Sequence, residues 1–180
     1  AQCASRLDLK DEVFLGSLPI FHSFGVTVTM FLPMLTGYPV VSYPNPTAAR
    51  SLCDLIEKSG ITLVCSTPTF ARAMLRRAKE DTFKSVHNFI VGAEKLQPDL
   101  EREFKERFGV ELLEGYGLTE AAPVCSVNMV DAPAVPGSAF YVPGTVKRSI
   151  GAPLPGIAVR VTDLDDDTRE IPLSERGMIW

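Results

Sequence analysis

A chain of 180 residues, 46% of them hydrophobic and 22% charged, is long enough to bury a sizeable core without disulfides or metals and too apolar for a disordered or fibrous protein. Its formal net charge of -4 argues against nucleic acid as a partner, because phosphate backbones are bound by clustered Lys and Arg. The one basic cluster, Arg72, Arg76, Arg77 and Lys79, shares a helical pattern with Phe70, Ala73 and Met74. It reads as a solvated helix face, with a docking patch for an acidic partner or anionic lipid as the alternative.

Cys3, Cys53, Cys65 and Cys125 are scattered, without metal-ligand or redox spacing, and fit a reducing compartment on the cytoplasmic side. Cys53 and Cys65 fall among apolar residues and read as small core hydrophobes. Charged residues from Arg6 to Glu12 interrupt any leader-like apolar run. Ala1 in place of Met, and an end at Trp180 inside an expected strand, suggest a piece of a longer chain. Membrane association would then come through parts of the parent protein outside these residues.

In chain order, the first apolar element is residues 26–35, which read as a buried helix too short, and too interrupted by Thr27, Thr29 and Pro33, to span a bilayer. From residue 40 to 113, β-rich runs alternate with helical patterns, the mark of an α/β layered sheet with flanking helices. Thr47 is expected to cap a helix carrying Leu52, Leu55 and Ile56 on one face, with Gly60 as its left-handed stop. Residues 61–65 then read as a buried strand.

A second helix is expected from about Thr69 to Glu80, followed by a strand over 86–91. In a third, Pro98 suits the first turn, Asp99 and Glu101 the positive dipole end, and Lys105 and Arg107 the negative end. Leu100, Phe104 and Phe108 form its inner stripe, Gly109 closes it, and residues 110–113 make the next strand. Residues 123–155 are rich in Pro, Gly and Ser, so a boundary is expected between Asp131 and Gly151. We divide the chain into an α/β unit over 1–140 and the start of a β-barrel-like unit over 141–180, with strands at 157–161 and 177–180 around an acidic turn at 163–167.

Ligands of open α/β sheets bind beyond the carboxyl ends of strands. Two expected loops lie there: Val91-Gly92-Ala93-Glu94 and Glu114-Gly115-Tyr116-Gly117-Leu118-Thr119-Glu120. In the second, the glycines allow close backbone approach, Tyr116 offers a flat face for a base, Thr119 a hydroxyl and Glu120 a hard oxygen for Mg²⁺. From the residues alone, Gly-Tyr-Gly reads rather as a tight turn and Glu120 as a surface carboxylate.

That second segment resembles the Tyr-Gly-x-Thr-Glu signature of the adenylate-forming superfamily. Three further segments match in order: Leu18-Pro19-Ile20-Phe21-His22-Ser23-Phe24-Gly25, Gly92-Ala93-Glu94, and Ile150-Gly151-Ala152-Pro153-Leu154-Pro155-Gly156. Within the superfamily the wording is most similar to the bifunctional acyl-[acyl-carrier-protein] synthetase/2-acylglycerophosphoethanolamine acyltransferases, and long-chain acyl-CoA synthetases use similar phrases.

The resemblance implies the central part of a large N-terminal adenylation domain. ATP and Mg²⁺ are the implied cofactors, with a fatty acid and acyl carrier protein or coenzyme A as partners. By the same resemblance Thr119 touches the ATP phosphates and Glu120 holds Mg²⁺. Tyr116 lies against adenine in a pocket shaped by Gly92, Ala93, Glu94, Glu114, Gly115, Gly117 and Leu118.

The resemblance also makes His22 a gate between acyl pocket and thiol tunnel; its structural alternative is a histidine capping the next helix. His87 matches no motif and is taken as structural. Residues 24–35 are implied to line the acyl pocket, and ordinary core packing reads equally well. A phosphate loop ending in Lys is expected before Ala1, and a mobile domain with a catalytic Lys after Trp180. The isolated piece is therefore expected to fold without catalysing. A scaffold module that keeps the fold without the chemistry is the reading from another class.

Overall fold

The computed structural model describes residues 2–7, 9–131, 143–172 and 174–180. Its large sheet contains β1 (Phe14–Gly16), β2 (Val40–Ser42), β3 (Leu63–Ser66), β4 (Asn88–Val91), β5 (Leu112–Gly117), β6 (Val124–Val127) and β7 (Ala152–Pro153), in the order β2-β1-β3-β4-β5-β6-β7. The first five run parallel, and β6 and β7 join antiparallel. Chain order reverses at β1, with β2 on one side and β3, β4 and β5 on the other, so the expected α/β layered sheet has a switch point where crevices form.

Both faces of the parallel strands are covered, which is why β3 and β4 are buried throughout and read as apolar runs. On one face lie α4 (Ala49–Ser59), α5 (Pro68–Leu75) and α6 (Pro98–Phe108), packing Leu52, Ile56, Met74, Leu100 and Phe104 against Val64, Phe89 and Val91. Phe83, Phe89, Phe104 and Phe108 interlock there, with ring centroids 4.9–5.7 Å apart. On the other face lie α1 (Gln2–Leu7), a short turn α2 (Ser23–Gly25), a π-helix (Val26–Phe31) and α3 (Leu32–Thr36). Leu7, Val28 and Leu32 meet Phe14, Leu63, Cys65, Ile90 and Leu113.

Several local expectations need correction. Thr47 does not cap α4: Ala48 is the N-cap, and the Thr47 hydroxyl and amide both donate to Asn45 Oδ1, at 2.7 and 2.9 Å, in a competing Asx turn. Gly60 does take the left-handed stop, with φ 59°. α5 begins at Pro68 under a Thr67 cap and ends at Leu75, five residues short of Glu80. The Lys79 amide turns instead to Thr82 Oγ1, at 2.9 Å, and Arg107 donates to the carbonyls of Leu75 and Ala78. α6 matches its expected dipole charges and closes at Gly109 with φ 70°.

Residues 26–35 are not one buried α-helix. Leu32 donates its amide to the Thr27 carbonyl, five residues back, while Pro33 has no amide to offer. The wider turns take in the proline and leave Phe31, Met34 and Leu35 exposed.

The boundary expected at 140/141 lies outside the described residues. Beyond them the chain first returns to the large sheet, where β7 pairs with β6. The expected strands near 157–161 and 177–180 are the shorter β8 (Val161–Thr162) and β9 (Met178–Ile179), paired antiparallel. In the acidic turn, amides of Asp165 and Thr168 donate to the Asp163 and Asp166 carboxylates, at 2.9 and 3.0 Å.

Candidate functional site

Four segments leave the carboxyl ends of parallel strands along one rim of the sheet. β1 leads to Leu18-Pro19-Ile20-Phe21-His22-Ser23-Phe24-Gly25, β3 to Thr67-Pro68-Thr69, β4 to Gly92-Ala93-Glu94, and β5 to Leu118-Thr119-Glu120. The first folds back on itself so tightly that a Cβ on Gly25 would lie 2.1 Å from the Pro19 carbonyl oxygen. Only glycine fits there.

The segment expected as a single loop over 114–120 is mostly strand. Gly115, Tyr116 and Gly117 pair with Val127, Ser126 and Val124 of β6, with a register shift between Tyr116 and Gly117. The added antiparallel partner extends β5 to the rim, and only Thr119–Ala121 forms a tight 3₁₀ turn. A Cβ on Gly117 would fall 1.8 Å from the Pro123 carbonyl oxygen, so the return of the chain into β6 depends on this glycine.

Hydrogen bonds tie the four segments together. Ser23 Oγ and Thr119 Oγ1 lie 3.1 Å apart. Thr69 donates its hydroxyl and amide to Glu94 Oε2, at 2.6 and 3.3 Å, and the Leu96 amide donates to Glu114 Oε1 at 3.1 Å. Glu94 and Glu114 therefore frame the site through carboxylates that are already engaged. Ala93, at φ 67°, turns the loop sharply in a conformation that L residues rarely adopt.

Two cavities flank the ridge Gly115-Tyr116-Gly117-Leu118, which with Ala93 lines both. The first, about 350 Å³, is apolar inside, with walls from Leu7, Phe24, Val28, Leu32, Ile90 and Val127 and a rim carrying His22, Ser23, Thr119 and Glu120. The second, about 790 Å³, is bounded by Glu94, Leu96, Glu114, Asn128 and the segment from Thr145 to Ile150, with Lys95, Lys147 and Arg148 as its cationic groups. Thr119 and Glu120 are exposed, and they open onto the cavity that Gly92 and Ala93 also line.

His22 is exposed at that mouth, and its Nδ1 accepts from the Phe24 amide at 3.1 Å, capping α2. A ring nitrogen that accepts carries no proton, so this contact uses Nδ1 as the acceptor. The structure thus gives His22 both the capping contact and a place at the cavity rim. His87 is exposed on the far side of β4, its amide bonded to the Thr62 carbonyl at 2.8 Å.

Sequence reasoning missed Asn128, which is 3% exposed. Its Nδ2 donates to the carbonyls of Glu114 (3.0 Å) and Ser149 (2.7 Å), and its Oδ1 accepts from the Val146 amide (3.0 Å), clamping one wall of the second cavity to β5. A lone Asn in a Pro- and Gly-rich stretch carries no pattern that announces this. Ser23 and Thr69 were also missed as partners, although Ser23 stands inside a quoted motif.

Among the described residues no three His, Cys, Asp or Glu side chains gather into a metal cage. The exposed Glu120 carboxylate, next in sequence to the Thr119 hydroxyl, fits Mg²⁺ of the kind that takes one or two carboxylates and completes its shell with water and substrate phosphates.

The family model described as AMP-binding enzyme matches residues 1–180. The chain belongs to the AMP-binding enzyme family. Two similar AMP-binding relatives are long-chain-fatty-acid–CoA ligases. That of Escherichia coli O6:H1 is 29% identical over 92% of this chain and 28% of its own length, and that of Bacillus subtilis 30% identical over 76% and 25%. The crystal structure of ATP-bound MatB from Rhodopseudomonas palustris superposes with a TM-score of 0.79 at 27% identity, covering 99% of this chain and 33% of that protein. The chain thus spans about a third or less of the relatives it matches, and its sheet is that of the AMP-binding fold.

Proposed function

We propose that the chain is the central part of an ATP-dependent acid–thiol ligase that activates a fatty acid as acyl-AMP and passes the acyl group to a phosphopantetheine thiol. The observation that carries this reading is the pair of cavities meeting at one ridge, with Thr119 and Glu120 on the rim of the first, directly after that ridge in sequence. An apolar cavity suits an acyl tail, and a larger one whose wall carries cationic groups suits a nucleotide. The reacting carboxylate and the α-phosphate then meet between them.

In the first half-reaction a carboxylate oxygen attacks the α-phosphorus of ATP, forming the acyl–phosphate bond as the bond to pyrophosphate breaks. In the second, the thiol sulfur attacks the acyl carbon, loses its proton and expels AMP. The Thr119 hydroxyl, positioned by Ser23, donates to phosphate oxygens. Glu120 would hold the Mg²⁺ whose charge offsets that of the triphosphate. Tyr116, half-buried on the ridge, presents its ring to adenine, and the tethered loops around Glu94 and Glu114 fix the pocket that receives it. His22 stands at the rim as the gate between acyl cavity and incoming thiol.

For the acceptor, the segments 18–24, 91–96 and 113–124 support acyl carrier protein, and with it an adjoining acyltransferase acting on lysophospholipid. The CoA-ligase names of the similar proteins support coenzyme A. Fatty-acid-dependent ATP–pyrophosphate exchange by the full-length protein tests the activation step. Thioester formation with each acceptor then separates the two. No exchange with any fatty acid overturns the reading, and exclusive transfer to coenzyme A ends its carrier-protein branch.

A further inference from the structure

Two thiols line the apolar cavity. Cys65, the third residue of β3, is 3% exposed and points with Leu63 to the face that bears α1. Cys3 on α1 packs against the same cluster, and both line the cavity with Leu7, Val28, Leu32 and Ile90. Desolvation raises the Cys3 pKa and pushes that of Cys65 up to about 12, so both thiols stay protonated at neutral pH and behave as small apolar surface. The adenylation chemistry does not use them.

Resting on the proposed fatty-acid activation, we infer that Cys65 and Cys3 form the wall that sets acyl chain length. Cys65 stands opposite Ile90 in the β3–β4 register, where strand backbones hold it in place. A larger side chain at 65 must take its volume from the cavity, and a smaller one adds to it.

The test measures kcat/KM for pyrophosphate exchange by the full-length protein with saturated acids of six to eighteen carbons. Cys65→Leu should lower the ratio of dodecanoate to hexanoate activity at least about tenfold, the discrimination typical of a methylene or two in an apolar pocket, and Cys65→Ala should raise it. Cys3→Leu repeats the test on an element less deeply packed. In parallel, dodecanoate should slow alkylation of Cys3 while sparing Cys125, which does not line the cavity.

Ratios unmoved in all three variants would overturn the inference while exchange itself continues. Absence of exchange with every acid would overturn the underlying reading, and this inference with it.

Discussion

The hydroxyls of Ser23 and Thr119, 96 residues apart in sequence, lie 3.1 Å from each other. This contact joins the segment after β1 to the turn after β5, so the two outer strands of the site fix the Thr119 hydroxyl between them. Ser23→Ala should lower kcat/KM for pyrophosphate exchange about fivefold, the worth of one hydrogen bond near 1 kcal/mol. Ser23→Thr should restore most of it, and the urea midpoint should hardly move, because the bond is exposed.

Asn128→Ala should destabilise the fold by about 1–3 kcal/mol in urea denaturation, since it leaves the Val146 amide and the carbonyls of Glu114 and Ser149 without their buried partner. The segment from Thr145 to Ile150 should also exchange its amides faster, because it loses its tie to β5.

Gly117→Ala places a methyl group against the Pro123 carbonyl and should cost about 1–3 kcal/mol in stability, as overpacking against backbone does. Gly37→Ala meets nothing within 4 Å, although its φ of +78° strains any side chain, so it measures the backbone cost without the clash. The larger loss is expected at Gly117.

Much of this fold was legible in the sequence because single residues carried it. The acidic start and basic end of α6, the left-handed stops at Gly60 and Gly109, and the alternation of apolar runs each have a local cause. What failed to show was settled by partners far along the chain. β5 runs on to Gly117 because β6 pairs with it, and α5 stops at Leu75 where Thr82 and Arg107 take over its terminal groups. The same holds for the site. Thr119, Glu120 and the Gly92 loop were visible as motifs, whereas the Asn128 clamp and the cysteine wall exist only once the strands are side by side.

Burial gives Cys65 a folded pKa of about 12 against an ordinary value of 9.0, so the native state favours the neutral thiol. The stability this contributes is complete below pH 9 and is lost as pH rises toward 12. The stability advantage of the unaltered chain over Cys65→Ala should therefore narrow with each step above pH 9, as read by urea denaturation at a series of pH values. A constant difference would mean that the thiol is not desolvated.

Pyrophosphate exchange in the full-length protein carrying Thr119→Val or Glu120→Gln tests most directly whether the chemistry sits where the ridge meets the rim of the apolar cavity. Loss of one preorganised group at the reacting phosphate is expected to slow fatty-acid-dependent exchange about a hundredfold, with the urea midpoint unchanged. Exchange at the unaltered rate in both variants would contradict the placement of the chemistry at this ridge.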